Sequence, residues 1–135
     1  MKKSRLLNSE LSYEISKIGH TAHITLCDAG FPIPKEVKRI DLAVEAQVPS
    51  FINVLKPILS EMQVEEIILA QEIKEKNPEM YKEILKSFEE AKMNPKITWV
   101  THEEFKQITK TSEAIVRTGE CSPYANIILK SGVVF

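Results

Sequence analysis

Four consecutive apolar residues, Ile67-Ile68-Leu69-Ala70, sit inside the segment Val64–Ala70. A strand with one wet face alternates apolar and polar side chains. A strand that is apolar at every position is covered on both faces, as in a parallel sheet flanked by helices. The rest of the chain must supply that cover, and its pattern does so by alternating strands with helices.

Asn8 or Ser9 reads as the N-cap of a first helix carrying Leu11, Ile15 and Ile18, with Gly19 as its C-terminal cap. Ala22 to Cys27 reads as a strand, broken by Asp28-Ala29-Gly30 and by Pro32 and Pro34. Ile40 to Val44 is a second strand. Pro49-Ser50 opens a helix with Phe51, Val54, Leu55, Ile58 and Leu59 on one face, which Pro57 should bend or end early. Asn77-Pro78 starts another helix, running to about Lys92 with Tyr81, Ile84, Leu85 and Phe88 inward. Ile97 to Val100 is a strand, and Thr101 with Glu104 has the capping-box form ahead of a short helix through Phe105 and Ile108. Two more strands follow, Glu113 to Arg117 and Asn126 to Leu129, and the apolar end Gly132-Val133-Val134-Phe135 should pack. The expectation is α/β: a single three-layer α/β/α domain over residues 1–135 with a mainly parallel central sheet.

Charge narrows the function. Lys and Arg number 18 against 19 Asp and Glu, a net charge of −1, so no basic face for nucleic acid is expected. No apolar run approaches the ~20 residues of a membrane helix. The basic start Met1-Lys2-Lys3 lacks an apolar stretch behind it, so no secretion signal is read, and Cys27 and Cys121 do not make a disulfide framework. A cytoplasmic protein with reduced thiols is the expectation.

In open α/β sheets ligands gather beyond the carboxyl ends of the strands. Three loops leave such ends with polar residues: Asp28-Ala29-Gly30, Thr101-His102, and Gly119 through Asn126. Together they offer a carboxylate, an imidazole, a phenol and an amide, a set suited to gripping a polyhydroxylated molecule and moving a proton. Each also has a plainer reading: Asp28 or Asn126 as a turn residue, His102 as a helix-end residue, Tyr124 as a core anchor, His20 as a partner of the preceding helix end, and His23 as a packed strand residue. No zinc spacing, phosphate loop, dinucleotide fingerprint or nucleophile elbow is present, so no metal and no cofactor is expected.

Several segments together resemble one family. They are Gly19-His20-Thr21, Asp28-Ala29-Gly30-Phe31-Pro32-Ile33-Pro34, Thr101-His102-Glu103-Glu104-Phe105, Arg117-Thr118-Gly119-Glu120, Pro123-Tyr124-Ala125-Asn126 and the Gly-Val-Val-Phe end. In order and over essentially the whole length, the chain resembles the RbsD/FucU sugar mutarotases. It departs from the pattern only at Cys121-Ser122, away from the candidate site residues. The resemblance implies interconversion of the β-pyranose and β-furanose forms of free D-ribose, which supplies the form that a ribokinase phosphorylates. It implies His20 as proton donor, sugar binding by Asp28, His102, Tyr124, Ala125 and Asn126, and a cytoplasmic homodecamer with sites between subunits. The alternatives are a fucose-type mutarotase and a non-catalytic sugar-binding accessory protein.

The implied chemistry needs only a positioned acid and base, because both ring forms are hemiacetals of one open-chain aldehyde. One spacing stands out. His20 precedes the first strand and Asp28 follows it, and eight extended residues span roughly 26 Å. Either the His20 segment folds back over the sheet end, or His20 serves the site of a neighbouring subunit.

Overall fold

Apolar positions at every second residue of the strands build two cores, one on each face of a single sheet. The computed structural model describes residues 1–135. Its strands are β1 (His23–Cys27), β2 (Arg39–Asp41), β3 (Val64–Ala70), β4 (Lys96–Val100), β5 (Ile115–Arg117) and β6 (Ile127–Ser131). Its helices are α1 (Ser9–Lys17), α2 (Phe51–Leu59), α3 (Ile73–Lys76), α4 (Pro78–Glu90) and α5 (His102–Ile108). The strand order is β2-β5-β1-β6-β3-β4. The pairs β2–β5, β5–β1 and β3–β4 are parallel, and only β6 runs against its two neighbours.

On one face Ile24, Leu26, Ile67, Leu69, Val116, Ile127 and Leu129 join Leu11 of α1, the apolar side of α2, and Ile84 and Phe88 of α4. On the other face Cys27, Ala70, Ile115 and Ile128 pack against Phe31 and Val37 of the loop after β1 and against Phe105 of α5. This is the expected three-layer α/β arrangement with a mainly parallel sheet, its second layer reduced to α5 and that loop. The unbroken apolar run in β3 is explained directly: Ile67 and Leu69 enter the first core, Ile68 and Ala70 the second.

The helix starts follow local chemistry. Asn8, Ser50, Asn77 and Thr101 each accept a hydrogen bond from the first-turn backbone of α1, α2, α4 and α5, and Thr101 with Glu104 forms the full capping box. Pro57 is accommodated two residues before α2 ends.

Other expectations are corrected. Gly19 is not a left-handed cap: α1 ends at Lys17, Ile18 is extended, and the positive φ (70°) falls on Thr21. The second strand is three residues rather than five. Leu85 is not packed inward: it is 39% exposed, on the wall of an open cleft with Ile67, Phe88 and Ile97. The chain end does not pack within the chain: Val134 and Phe135 are fully open to solvent.

Candidate active site

Beyond the carboxyl ends of β1 and β5 the chain makes two loops that face each other across a cleft of about 370 Å³, lined by Asp28, Ala29, Gly30 and Glu120 to Pro123. That volume lies within the roughly 300–1,000 Å³ of small-molecule sites. Asp28 follows the last residue of β1, and Asn126 precedes the first of β6. The Asn126 side chain donates to Asp28 Oδ2 (2.9 Å), and the Asp28 backbone N–H donates to Asn126 Oδ1 (3.0 Å). Asp28 Oδ1 accepts from Gly30 N–H (2.9 Å). The turn-capping reading of Asp28 is therefore correct for one oxygen, while the other faces Asn126. Burial raises the Asp28 pKa, and the hydrogen bonds from Asn126 and Gly30 offset part of that rise.

Asn126 N–H donates to the Tyr124 carbonyl (2.8 Å), and Tyr124 itself sits at φ 56°, in the left-handed region. A tyrosine held there is strained, which the closely bonded loop around it sustains. The Tyr124 ring meets His102 edge-on at 5.1 Å. His102, first residue of α5, also contacts Phe31 edge-on and stacks over Phe105. Its backbone N–H is taken by both oxygens of the Glu72 carboxylate (3.0 and 3.1 Å). Its Nδ1 is buried without a partner. Ala125, between Tyr124 and Asn126 in the chain, is fully buried in the first core. The structure thus brings together Asp28, His102, Tyr124, Ala125 and Asn126.

It does not bring His20 to them. His20 lies before β1, where Thr21 N–H donates to the Ser131 carbonyl (3.0 Å) at the far end of β6. Its Nε2 bonds Glu65 Oε2 (2.8 Å). There it lines a second cleft of about 400 Å³ with Ile15, Ile18, Met62, Val133 and Phe135. The His20 segment does not fold back over the sheet end. A third cleft, along the Ile67–Ile97 edge, is apolar and holds none of these residues.

Sequence reasoning missed the buried supports of the first cleft. Glu120 is buried, and its carboxylate accepts from Phe51 N–H at the start of α2 (3.2 Å) and from Ser122 N–H (3.1 Å). Its carbonyl accepts from Ala29 N–H (2.8 Å), so one residue ties both walls to α2. Thr118 Oγ1 donates to the Cys27 carbonyl (2.8 Å) and accepts from Glu120 N–H. Gly119 is obligatory: a Cβ there would lie 2.5 Å from the Glu45 carbonyl oxygen. A carboxylate between a Gly and a Cys carries no pattern that distinguishes a buried hub from a surface residue. Burial raises the Cys27 thiol pKa far above its usual range, so it is no nucleophile, and no group of three or more His, Cys, Asp or Glu is placed to hold a metal ion.

A cleft with polar side chains at the strand ends of a mainly parallel sheet is where α/β domains take small molecules. The RbsD / FucU transport protein family matches residues 1–134, and the chain belongs to that family. It is 66% identical over the full length of both chains to D-ribose pyranase of Rhodopirellula baltica, and 54% identical, again over both full lengths, to that of Aliivibrio fischeri. Among solved structures it superposes on Bacillus subtilis RbsD complexed with D-ribose with TM-score 0.92 and 43% identity, all of both chains covered. The fucose mutarotase of Streptococcus pneumoniae in complex with L-fucose gives TM-score 0.83 at 28% identity, again over both full chains.

Proposed function

We propose that this chain is a D-ribose pyranase, an isomerase that interconverts the β-pyranose and β-furanose forms of free D-ribose by acid/base ring opening and closure. The observation that carries the proposal is the full-length 66% identity to a D-ribose pyranase, against 28% to the fucose mutarotase. In this reading Asp28, His102, Tyr124, Ala125 and Asn126 hold the sugar. The carboxylate and the side-chain amide accept and donate to hydroxyls, and the His102 and Tyr124 rings flank the sugar. His20 transfers the proton. An imidazole can give or take one near neutral pH, and the reaction needs no covalent intermediate.

Because His20 stands at the opposite end of β1, the reading requires His20 of one subunit to complete the cleft of another. The open Val133-Val134-Phe135 end, beside His20, supports an assembly that covers it. The assembly proposed is a homodecamer. No helix of the chain is long and apolar enough to cross a membrane. A cytoplasmic place in ribose degradation completes the reading.

Saturation-transfer NMR on ribose in water tests the activity. Catalytic amounts of the protein should accelerate exchange between pyranose and furanose signals, and His20→Ala should abolish that acceleration while ribose still binds. A protein that binds ribose without accelerating exchange would instead be a sugar-binding accessory protein.

A further inference from the structure

We propose that Glu65 is a positioning residue for His20, holding the Nε2 side of its imidazole so that Nδ1 is the nitrogen that meets the sugar. The proposal rests on the reading of His20 as the proton-transferring group. The contact itself is a 2.8 Å hydrogen bond between His20 Nε2 and Glu65 Oε2, and His20 makes no other side-chain hydrogen bond.

The backbone is arranged to present Glu65. Along β3, Val64 pairs with Ser131 and Glu66 with Lys130, so β3 advances two residues while β6 advances one. Glu65 is the extra residue of this β-bulge. Regular alternation from Leu69 and Ile67 would carry position 65 into the core. The bulge instead keeps Val64 buried and turns Glu65 outward. Gly132 makes room for it: a Cβ at Gly132 would lie 3.0 Å from Glu65 Cβ, tighter than side chains normally approach. Gly132 N–H donates to the Gln63 carbonyl (3.0 Å), closing the irregular pairing on the other side. The His20 segment is pinned to the same end of β6 through Thr21 N–H and the Ser131 carbonyl. Both partners are thus fixed by backbone pairing as well as by their side chains.

The neighbouring charges are otherwise engaged. Glu61, which lines the same cleft, is paired with Lys2; Lys17 at the end of α1 is paired with Glu14; Lys130 is paired with Glu66. Glu65 is the side-chain carboxylate that the His20 ring meets. A neutral ring held in this way carries its proton on Nε2 and offers the Nδ1 lone pair. A protonated ring offers Nδ1–H. Either form suits a group that takes a proton from one sugar oxygen and returns one to another. Without the carboxylate both tautomers would be populated and the reactive nitrogen would not be defined.

The test compares wild type with Glu65→Ala, Glu65→Gln and His20→Ala, reading ribose exchange by saturation transfer, ribose affinity by calorimetry, and the His20 ring nitrogens by 15N NMR. Glu65→Ala should slow exchange on the order of ten-fold or more, with affinity nearly unchanged and the His20 signals moved from one Nε2-protonated tautomer to a mixture. Glu65→Gln, which keeps the shape and removes the charge, should give an intermediate rate, and it carries the test if the alanine variant does not fold. A normal rate with an unaltered tautomer in the Glu65 variants, while His20→Ala is inactive, would overturn the role of Glu65 alone. A rate lost only in proportion to lost ribose affinity would overturn it too, since Glu65 would then be structural. Normal exchange in His20→Ala would remove the underlying reading and the proposal with it.

Discussion

Asp28 and Asn126, 98 residues apart in sequence, hold each other by two hydrogen bonds: side-chain amide to carboxylate at 2.9 Å, and backbone N–H to side-chain carbonyl at 3.0 Å. The pair joins the end of β1 to the start of β6, and Asp28 itself lines the cleft. Asn126→Ala leaves the Asp28 N–H and one carboxylate oxygen without partners in a half-buried place. It should destabilise the fold by ~1–3 kcal/mol and lose most ribose affinity. Thermal unfolding and calorimetry together check this; full affinity would show that the pair is architectural only.

Asp28 also predicts a pH dependence. Burial raises its pKa above the usual 3.8, against the hydrogen bonds from Asn126 and Gly30. The folded chain therefore holds this proton more tightly than the unfolded one. The stabilising effect of that proton is full below the unfolded value and disappears as pH rises through the folded value. Under the proposed sugar-binding role of Asp28, ribose binding runs the other way, because the acceptor would be the ionised carboxylate. Ribose affinity should fall on acidification from a pH above that of an ordinary aspartate, and Asp28→Asn should bind weakly with no such dependence. An identical acid limb in the variant would assign it to another group.

Glu120 behaves oppositely. Burial pulls its pKa upward, but the hydrogen bonds from Ser122, from the Phe51 N–H and from Gln47 outweigh this and hold it below the usual glutamate range. Its contribution to stability is present above the unfolded pKa and is lost as pH falls through the folded one. Glu120→Gln must turn an amide N–H₂ toward one of two backbone donors. It should destabilise by ~1–3 kcal/mol and flatten the acid side of the stability profile. Denaturant midpoints across pH measure both effects, and an unchanged midpoint would mean that the buried carboxylate is dispensable.

Gly119→Ala should be among the more damaging single-methyl changes in the chain. The added Cβ would fall 2.5 Å from the Glu45 carbonyl and 2.7 Å from the Val48 backbone. Relieving that overlap means moving the segment ahead of α2, at roughly 1–3 kcal/mol. A thermal midpoint equal to wild type would show that the loop yields freely.

Much of this was legible in the sequence because it was local. The four N-caps, the span Val64–Ala70 and the strand-ending loop at Asp28 are each encoded by neighbours in the chain. The direction of β6 was not legible, since an apolar run has no polarity and only its partners β1 and β3 make it antiparallel. The four residues of α3 are too few to show a period. Glu14, buried beneath Lys17 and Lys38, and Glu120 look like surface carboxylates until their partners from distant segments are seen. The strand-end rule and the family resemblance singled out Asp28, His102, Tyr124 and Asn126, which the structure joins in two contacts, Asp28 with Asn126 and His102 with Tyr124. The pairing of His20 with Glu65 depends on a one-residue register shift that no alternation of residue types reveals.

In the proposed mechanism one sugar is served by His20 of one chain and the Asp28–Asn126 cleft of another. Two inactive variants, His20→Ala and Asn126→Ala, can be unfolded together, refolded as mixed oligomers and assayed for ribose ring exchange, with native mass spectrometry confirming that both chains share particles. Shared sites predict that activity returns, because some clefts with native Asn126 will face a native His20 from the neighbouring chain. Mixed oligomers without recovered exchange would contradict the account and leave each site to a single chain.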